Sequence, residues 1–549
     1  MNLFSVHNRK DLIHKLSSET FDLLVIGGGI TGAGIALDAA TRGLKVALID
    51  MQDFAAGTSS RSTKLIHGGL RYLKQLDFKL VAEVGQERAI IHKIAPHLTK
   101  PEKMLLPIVK DGSLGKTSLR FAMWLYEWLA GVKKEEAYKM LDREQAMQAE
   151  PLVKENGLLG GVLFYEYRTD DARLTLEVLK TAVERGVTAL NYVRATQFSY
   201  TDEKIVGVSA KDETTDETFD IKASYVVNAA GPWVDELDDL DRAHEGHKLQ
   251  ITKGVHIVVD YKDLPVKQSV YFDAFDGRMV FVIPRGKKTY IGTTDTFYNG
   301  ELKNPPVLEE DKAYLLKCVN AYFPPCKLSM QHIESCWAGL RPLISKPGKG
   351  PSEISRKDEI FISPSGLIII AGGKLTGYRK MAMRVVDLVA KKCEQTQNRV
   401  VGKCVTEGTF LRGGNIPMPF ETFLQNKIKE GRSLGLSEEE ASNLCFRYGS
   451  EISEVFILLS RSMHTRDAHD ELPLVLLAEL KYCLEKEMCM NPSDFFIRRT
   501  GMLYFDMGSV KKWKDAVLHY MQTAFEWGDE IREKHKNDLE RAIAAATGH

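Results

Sequence analysis

The stretch FDLLVIGGGITGAGIALDAATRGLKVALID, Phe21 to Asp50, decides the fold. Phe21 to Ile26 form an apolar run that breaks into three glycines, the pattern of a buried parallel strand entering a tight turn. Ile30 to Arg42 are mostly small residues and follow as a helix, closed by Gly43 as its left-handed cap. Leu44 to Asp50 make a second buried strand, so the whole is one β-turn-α-β crossover of about thirty residues. Gly27, Gly29 and Gly32 fill the three places of G-x-G-x-x-G. The first permits the sharp turn, the second a close approach of backbone to a pyrophosphate, and the third close packing of helix on strand. Ile30 and Thr31 open the helix, whose unpaired N–H groups and positive dipole end suit phosphate. Asp50 ends the second strand about twenty residues past the first glycine, where a carboxylate can bind a ribose hydroxyl. A dinucleotide is expected here, and the motif alone does not choose between NAD and FAD.

Around this unit the composition is that of a soluble globular chain. At ~150 residues per domain, 549 residues suggest three to four domains. Lys plus Arg is 74 and Asp plus Glu is 74, with 44% hydrophobic and 27% charged residues. That balance excludes a disordered, collagen-like or disulfide-scaffold chain and gives no support to a nucleic-acid partner. The eight cysteines, from Cys318 to Cys489, form no C-x-x-C pair and lack histidines at zinc spacing. They read as free thiols in a reducing compartment, and no metal is expected. The first twenty residues are charged every few positions, unlike a signal peptide, and no apolar run approaches the ~20 residues of a membrane span. A cytoplasmic location follows, compatible with lying on a membrane surface.

The opening residues to Thr20 read as one short amphipathic helix. Residues 161–166 read as a strand, 171–186 as a helix and 187–193 as another strand. KIVGVSAKD, ETFDIKASYVVNAAG and the pair around RMVFVIP and KTYIGTT suggest antiparallel meanders. GLIIIAGG, 366–373, is another buried strand ending in paired glycines. Past about residue 400 the pattern is almost wholly helical, with Ser437 and Glu440 forming a capping box. No internal repeat is visible.

Two further glycine-rich turns accompany the first: GTSSRSTKLIHGGLRYL, Gly57 to Leu73, and AGGKLTGYRKMA, Ala371 to Ala382. Three such turns suit a long cofactor held at several points, as an extended FAD would be. Here IGGGITGAGIALDAATRG and GGKLTGYRKMA resemble the two signatures of FAD-dependent glycerol-3-phosphate dehydrogenases. DGRMVFVIPRGKKTYIGTTDT, 276–296, and DFFIRRTGMLYF, 494–505, are similar to that family too, and the likeness covers essentially the whole chain.

The resemblance implies an α/β flavoprotein with a glutathione-reductase-like FAD domain of the amino-acid-oxidase branch. An antiparallel-sheet substrate domain and an all-helical C-terminal domain complete it. The boundaries then read 1–95 with 160–247 and 337–398 for FAD, 96–159 with 248–336 for substrate, and 399–549 for the helices. Gly27, Gly29, Gly32 and Asp50 would hold the ADP half, Val193 the adenine through its backbone, and Ala230 and Gly231 would pass near the pyrophosphate. Ser60, Thr63, Lys64 and Leu65, with Gly373, Lys374, Leu375 and Thr376, would surround the isoalloxazine. The helix beginning near Lys374 would point its dipole at the flavin and favour its anionic reduced form.

The implied reaction oxidises sn-glycerol 3-phosphate to dihydroxyacetone phosphate. Arginine forks suit its dianion. Candidates are Arg71 with Tyr72, Arg341, Arg356, Lys374 and His256, and Arg71 shares a helical face with His67. Oxidising a secondary alcohol needs a base for the hydroxyl proton, and a near-neutral imidazole is economical. His67 in KLIHGGLRY and His256 in TKGVHIVV qualify, and Arg341 could stabilise a developing alkoxide. The three stay unranked on sequence.

In GKTSLRFAMWLYEWLAGVKK, 115–134, Phe121, Trp124, Leu125 and Trp128 share one helical face, flanked by Lys116, Arg120, Lys133 and Lys134. This suits either an interfacial helix or a core-facing one. The family's members are peripheral membrane enzymes that pass electrons to quinone, which favours the inner face of the cell membrane. A homodimer stays open. The competing readings are a glycerophosphate oxidase that makes peroxide, an amino-acid or sarcosine-type oxidase, and a non-enzymatic nucleotide-binding scaffold. Glycerophosphate oxidases often carry a middle insertion, for which the chain shows no candidate.

Overall fold

A computed structural model of the chain describes residues 4–67, 78–110, 116–130, 134–243, 249–344, 358–464 and 471–548. The first strand, Thr20–Ile26, runs parallel to Val46–Ile49 on one side and Thr218–Asn228 on the other. Thr188–Leu190 extends the sheet beyond Val46–Ile49, and Ile368–Ala371 extends it beyond Thr218–Asn228, both in parallel. Leu23, Leu24 and Val25 are wholly buried, as a strand covered on both faces requires. Helix Ile30–Thr41 covers one face beside Asp171–Glu184 and Tyr378–Gln397. Its small residues allow this: a Cβ on Gly34 would lie 2.8 Å from the Tyr378 ring.

Thr218–Asn228 does more than the expected meander. Its first half pairs antiparallel with Lys204–Asp212, while Lys222–Asn228 runs parallel to the first strand. Burial explains the change, because one-sided alternation over Thr218–Ala223 gives way to continuous burial at Val226–Asn228.

A second, ten-stranded sheet centres on Leu249–Asp260, which pairs antiparallel with Lys288–Gly292 and with Ile333–Ile344. Met279–Arg285, Ser269–Asp273, Thr99–Val109 and Leu158–Thr169 follow outward. Boundaries placed at 160 and 337 therefore each fall inside a strand of this sheet.

From Phe420 on, the described residues are mainly helical. Ser437 caps helix Glu438–Tyr448 by accepting the Glu440 N–H at 3.2 Å, and Glu440 returns the bond to the Ser437 N–H at 2.8 Å. Helices Met507–Phe525 and Asp529–Thr547 end the chain, the latter against strand Ile333–Ile344. All eight cysteines are unpaired. No helix among the described residues is long and apolar enough to cross a membrane.

Candidate active site

The turn after the first strand brings backbone to a ligand. Gly27 has φ +118°, and a Cβ there would lie 2.4 Å from the Ala229 carbonyl oxygen. A Cβ on Gly32 would lie 1.9 Å from the Gly27 carbonyl oxygen, so helix Ile30–Thr41 starts hard against the strand. The Ile30 N–H donates to the Ser59 hydroxyl at 2.9 Å. Asp50 accepts the Gly28 N–H at 2.6 Å and the Gln52 N–H at 2.8 Å. Burial nonetheless pushes its carboxyl up to about 7, against the pull of those two bonds.

A cavity of about 820 Å³ opens from this turn and reaches the second sheet. That is the size of a large ligand pocket. Gly27, Gly29, Ile30, Thr31 and Asp50 line one part, with Val193, Ala230 and Gly231 beside them. Thr63, Leu65, His67, Gly373, Lys374, Leu375 and Thr376 line another, and His256 and Arg341 face in from the second sheet. A glycine cradle that no Cβ could enter, a helix N-terminus and a carboxylate at one end fit an adenine dinucleotide such as FAD.

Several positions differ from their expected setting. Gly32 serves helix packing and does not line the cavity. Ser60 and Lys64 are buried with their side chains turned away from it: Lys64 Nζ is 2.5 Å from Asp171 and donates to the Ser60 carbonyl at 3.0 Å. The helix expected near Lys374 begins with a short 3-10 turn, Leu375–Gly377, and becomes regular at Tyr378. Arg71, Tyr72, Arg356 and Lys133 lie outside the described residues, as do the side chains of Lys116, Trp128 and Lys134.

The second-sheet wall is tightly specified. His256 is buried, its Nε2 3.0 Å from the Thr63 hydroxyl, and its ring stacks on Trp337 at 4.8 Å and 9°. Burial holds its pKa well below the usual 6.5, helped by the positive charges of Arg341 and Lys64. The neutral form of the imidazole is therefore favoured in the free protein. Arg341 Nη1 donates to Asp295 at 2.9 Å and Nη2 to the Thr293 hydroxyl at 3.2 Å. The His67 backbone N–H donates to the Thr376 hydroxyl at 3.3 Å, tying two of the glycine-rich turns together. The His67 ring meets Phe281 edge-on at 6.1 Å, and Phe281 stacks on Tyr271 at 4.0 Å.

Sequence reasoning gave no role to Ser59, Thr293, Asp295, Gly254 or Gly292. A Cβ on Gly254 would meet Arg341 Nη2 at 2.3 Å. The available clue was Gly254 two residues before His256, hence on the same strand face.

Comparison with known proteins agrees with this architecture. Residues 22–379 match the family model described as FAD dependent oxidoreductase. Residues 404–532 match the C-terminal domain of alpha-glycerophosphate oxidase. An aerobic glycerol-3-phosphate dehydrogenase of Bacillus subtilis (strain 168) is 50% identical over 542 residues, covering 98% of each chain. The crystal structure of a glycerol-3-phosphate dehydrogenase from Bacillus halodurans, complexed with FAD, superposes with a TM-score of 0.86 at 45% identity, over 99% of this chain and 98% of that one. An L-alpha-glycerophosphate oxidase from Mycoplasma pneumoniae shares the fold at 19% identity and TM-score 0.56, over 73% of this chain and 99% of that one.

Proposed function

The chain belongs to the FAD-dependent oxidoreductase family, among the aerobic glycerol-3-phosphate dehydrogenases, and from that membership we propose that it oxidises sn-glycerol 3-phosphate to dihydroxyacetone phosphate. The single observation that carries the reading beyond likeness is the buried His256 and the Arg341 guanidinium lining the same dinucleotide cavity. When bound, FAD supplies the acceptor for the hydride leaving the substrate's C2. Gly27, Gly29, Ile30, Thr31 and Asp50 hold its nucleotide half, and Thr63, Leu65 and Gly373 to Thr376 border its ring.

His256 takes the hydroxyl proton at Nε2, the substrate oxygen taking the place of the Thr63 hydroxyl there. Arg341 and Lys374 hold the phosphate, and Asp295 and Thr293 keep Arg341 in place. A bound dianion offsets the positive charge around His256 and makes the imidazole a stronger base in the complex than in the free protein. His67, which lines the same cavity beside Phe281, orients the substrate.

The electrons pass on to a quinone at the membrane surface. Helix Lys116–Ala130 supports this: Leu119 and Met123 are buried, whereas Phe121 is 62% and Trp124 54% exposed, their rings 5.8 Å apart. Two neighbouring exposed aromatics suit an interfacial face. Flotation with anionic vesicles should carry the protein up at low salt and less so at high salt, and Phe121→Ser with Trp124→Ser should leave it behind. Substrate-driven dye or quinone reduction should far exceed peroxide formation. Peroxide in step with ketone formation would instead make the enzyme an oxidase, and no ketone from glycerol 3-phosphate would refute the substrate.

A further inference from the structure

The segment DFFIRRTGMLYF, Asp494 to Phe505, does not line the cavity yet touches both sides of it from behind. Its first half is a π-helical turn, Asp494–Arg499. From there Arg499 Nη1 and Nη2 donate to the two carboxylate oxygens of Asp53 at 2.7 and 2.8 Å, a bidentate fork. Arg498 donates to the same carboxylate, and Asn191 adds a bond at 2.9 Å. Asp53 follows Asp50 closely, and the backbone between them binds the Val193 strand: Val193 N–H to the Asp50 carbonyl at 2.7 Å, Tyr192 N–H to that of Gln52 at 3.0 Å. The fork thus grips the turn that carries the nucleotide end of the cavity.

The second half, the short helix Met502–Phe505, lies against strand Ile333–Ile344. The Ser335 hydroxyl donates to the Tyr504 carbonyl at 2.6 Å. Two residues along, and so on the same face, Trp337 has its ring 5.1 Å from Tyr504 and 5.8 Å from Phe505. Trp337 also stacks flat on His256. Among the described residues the indole has one polar anchor, Nε1 donating to the Ser62 carbonyl at 3.3 Å, so ring contacts set its plane. The imidazole plane in turn follows the indole.

We propose that Tyr504 is a positioning residue for His256, acting through Trp337, and that the segment Asp494–Phe505 thereby makes the C-terminal helices part of the active site. The proposal rests on His256 being the base. Thr63 holds one imidazole nitrogen, the Gly292 backbone borders the ring edge, and the stacked indole covers its face. Without the Tyr504 ring, Trp337 can tilt into the space behind it and the imidazole plane is released. The charged groups around His256 are Arg341 with Asp295 and Lys64 with Asp171; Tyr290 and Tyr504 are the neighbouring phenols.

The test compares Tyr504→Leu with Tyr504→Phe in the full-length FAD-loaded enzyme, acting on glycerol 3-phosphate with a dye acceptor. Tyr504→Leu should keep its FAD, yet lose about 10- to 100-fold in kcat per bound flavin, the scale of a misplaced catalytic group. Water reaching the loosened imidazole should move the acid limb of kcat to higher pH. The pH dependence of dihydroxyacetone phosphate binding, read from the flavin spectrum, should shift by the same amount. Tyr504→Phe keeps the ring and should restore wild-type behaviour. Trp337→Phe should reproduce the loss, and combining it with Tyr504→Leu should add little; it carries the same test if Tyr504→Leu fails to fold. Wild-type kcat per flavin and pH profiles in Tyr504→Leu and Trp337→Phe, or losses that merely track lost FAD, would overturn the proposal. A wild-type enzyme inactive on glycerol 3-phosphate would fail before any variant is made, and would strike the substrate reading instead.

Discussion

Gly292 lies opposite His256 in the antiparallel pairing of the second sheet, and a Cβ at 292 would stand 2.0 Å from the imidazole Cδ2 and 2.6 Å from Nε2. The missing side chain is the room the imidazole occupies. Gly292→Ala must displace either the ring or the strand, and a shift of about 1 Å at a catalytic group costs about 100-fold in rate. We expect kcat to fall by that order while FAD content stays at wild type. An unchanged kcat would show that the imidazole's present position is not required.

The neutral form of His256 is the active one, so activity should persist above its pKa and fail below it. Burial, Arg341 and Lys64 place that pKa well under 6.5. The acid limb of kcat/KM, which reports the free enzyme, should therefore lie below 6.5, and that of kcat at higher pH. Arg341→Met removes a positive neighbour, which should shift the limb to higher pH as KM rises. His256→Gln should lower kcat by about 10²- to 10⁴-fold, and His67→Gln should act mainly on KM. The reverse pattern would transfer the base role to His67.

The glycine turn and Asp50 are legible in sequence because their geometry is local: three glycines and a carboxylate at fixed spacing act within one crossover. The substrate end is not local. Gly292 and Trp337 meet His256 through strand pairing, Asp295 joins through Arg341, and register across a sheet cannot be read from spacing along one strand. Lys64 sits in a motif that reads as flavin-contacting, yet its buried partner Asp171 turns its side chain elsewhere. DFFIRRTGMLYF stood out as a motif without a role, since Arg499 finds Asp53 across a separation of 446 residues.

Asp50 carries a proton in the folded apoprotein at pH values where the unfolded chain has released it, its carboxyl being raised to about 7 from 3.8. Keeping it ionised costs stability above pH 7, and that cost fades as pH falls through 7. Ribose hydroxyls bind best to the ionised form. FAD affinity of the apoprotein should therefore weaken below pH 7, by up to about tenfold per pH unit, with proton release on binding. Titrations monitored by flavin fluorescence would check this, and Asp50→Asn should flatten the dependence. A pH-independent Kd would contradict the role given to Asp50.

Asp53 behaves oppositely. Burial alone would raise its pKa, but Arg499 and Arg498 outweigh that and hold it below the usual 3.8. Its contribution to stability is present above the ordinary carboxylate range and lost as pH falls through the folded value. Asp53→Asn removes the carboxylate that Arg499 grips in a fork, while Arg498 keeps Asp494 at 2.5 Å, and should cost about 3 kcal/mol, read as a lower denaturant midpoint. A loss under about 1 kcal/mol would mean that water or Glu487 compensates.

The most direct measurement adds glycerol 3-phosphate to the oxidised, FAD-loaded protein without oxygen and follows the visible flavin band. The band should bleach in proportion to dihydroxyacetone phosphate formed, and His256→Gln should slow the bleaching at unchanged flavin content. A band that persists with this substrate, yet disappears on adding dithionite, would contradict the assignment of this cavity to glycerol 3-phosphate oxidation.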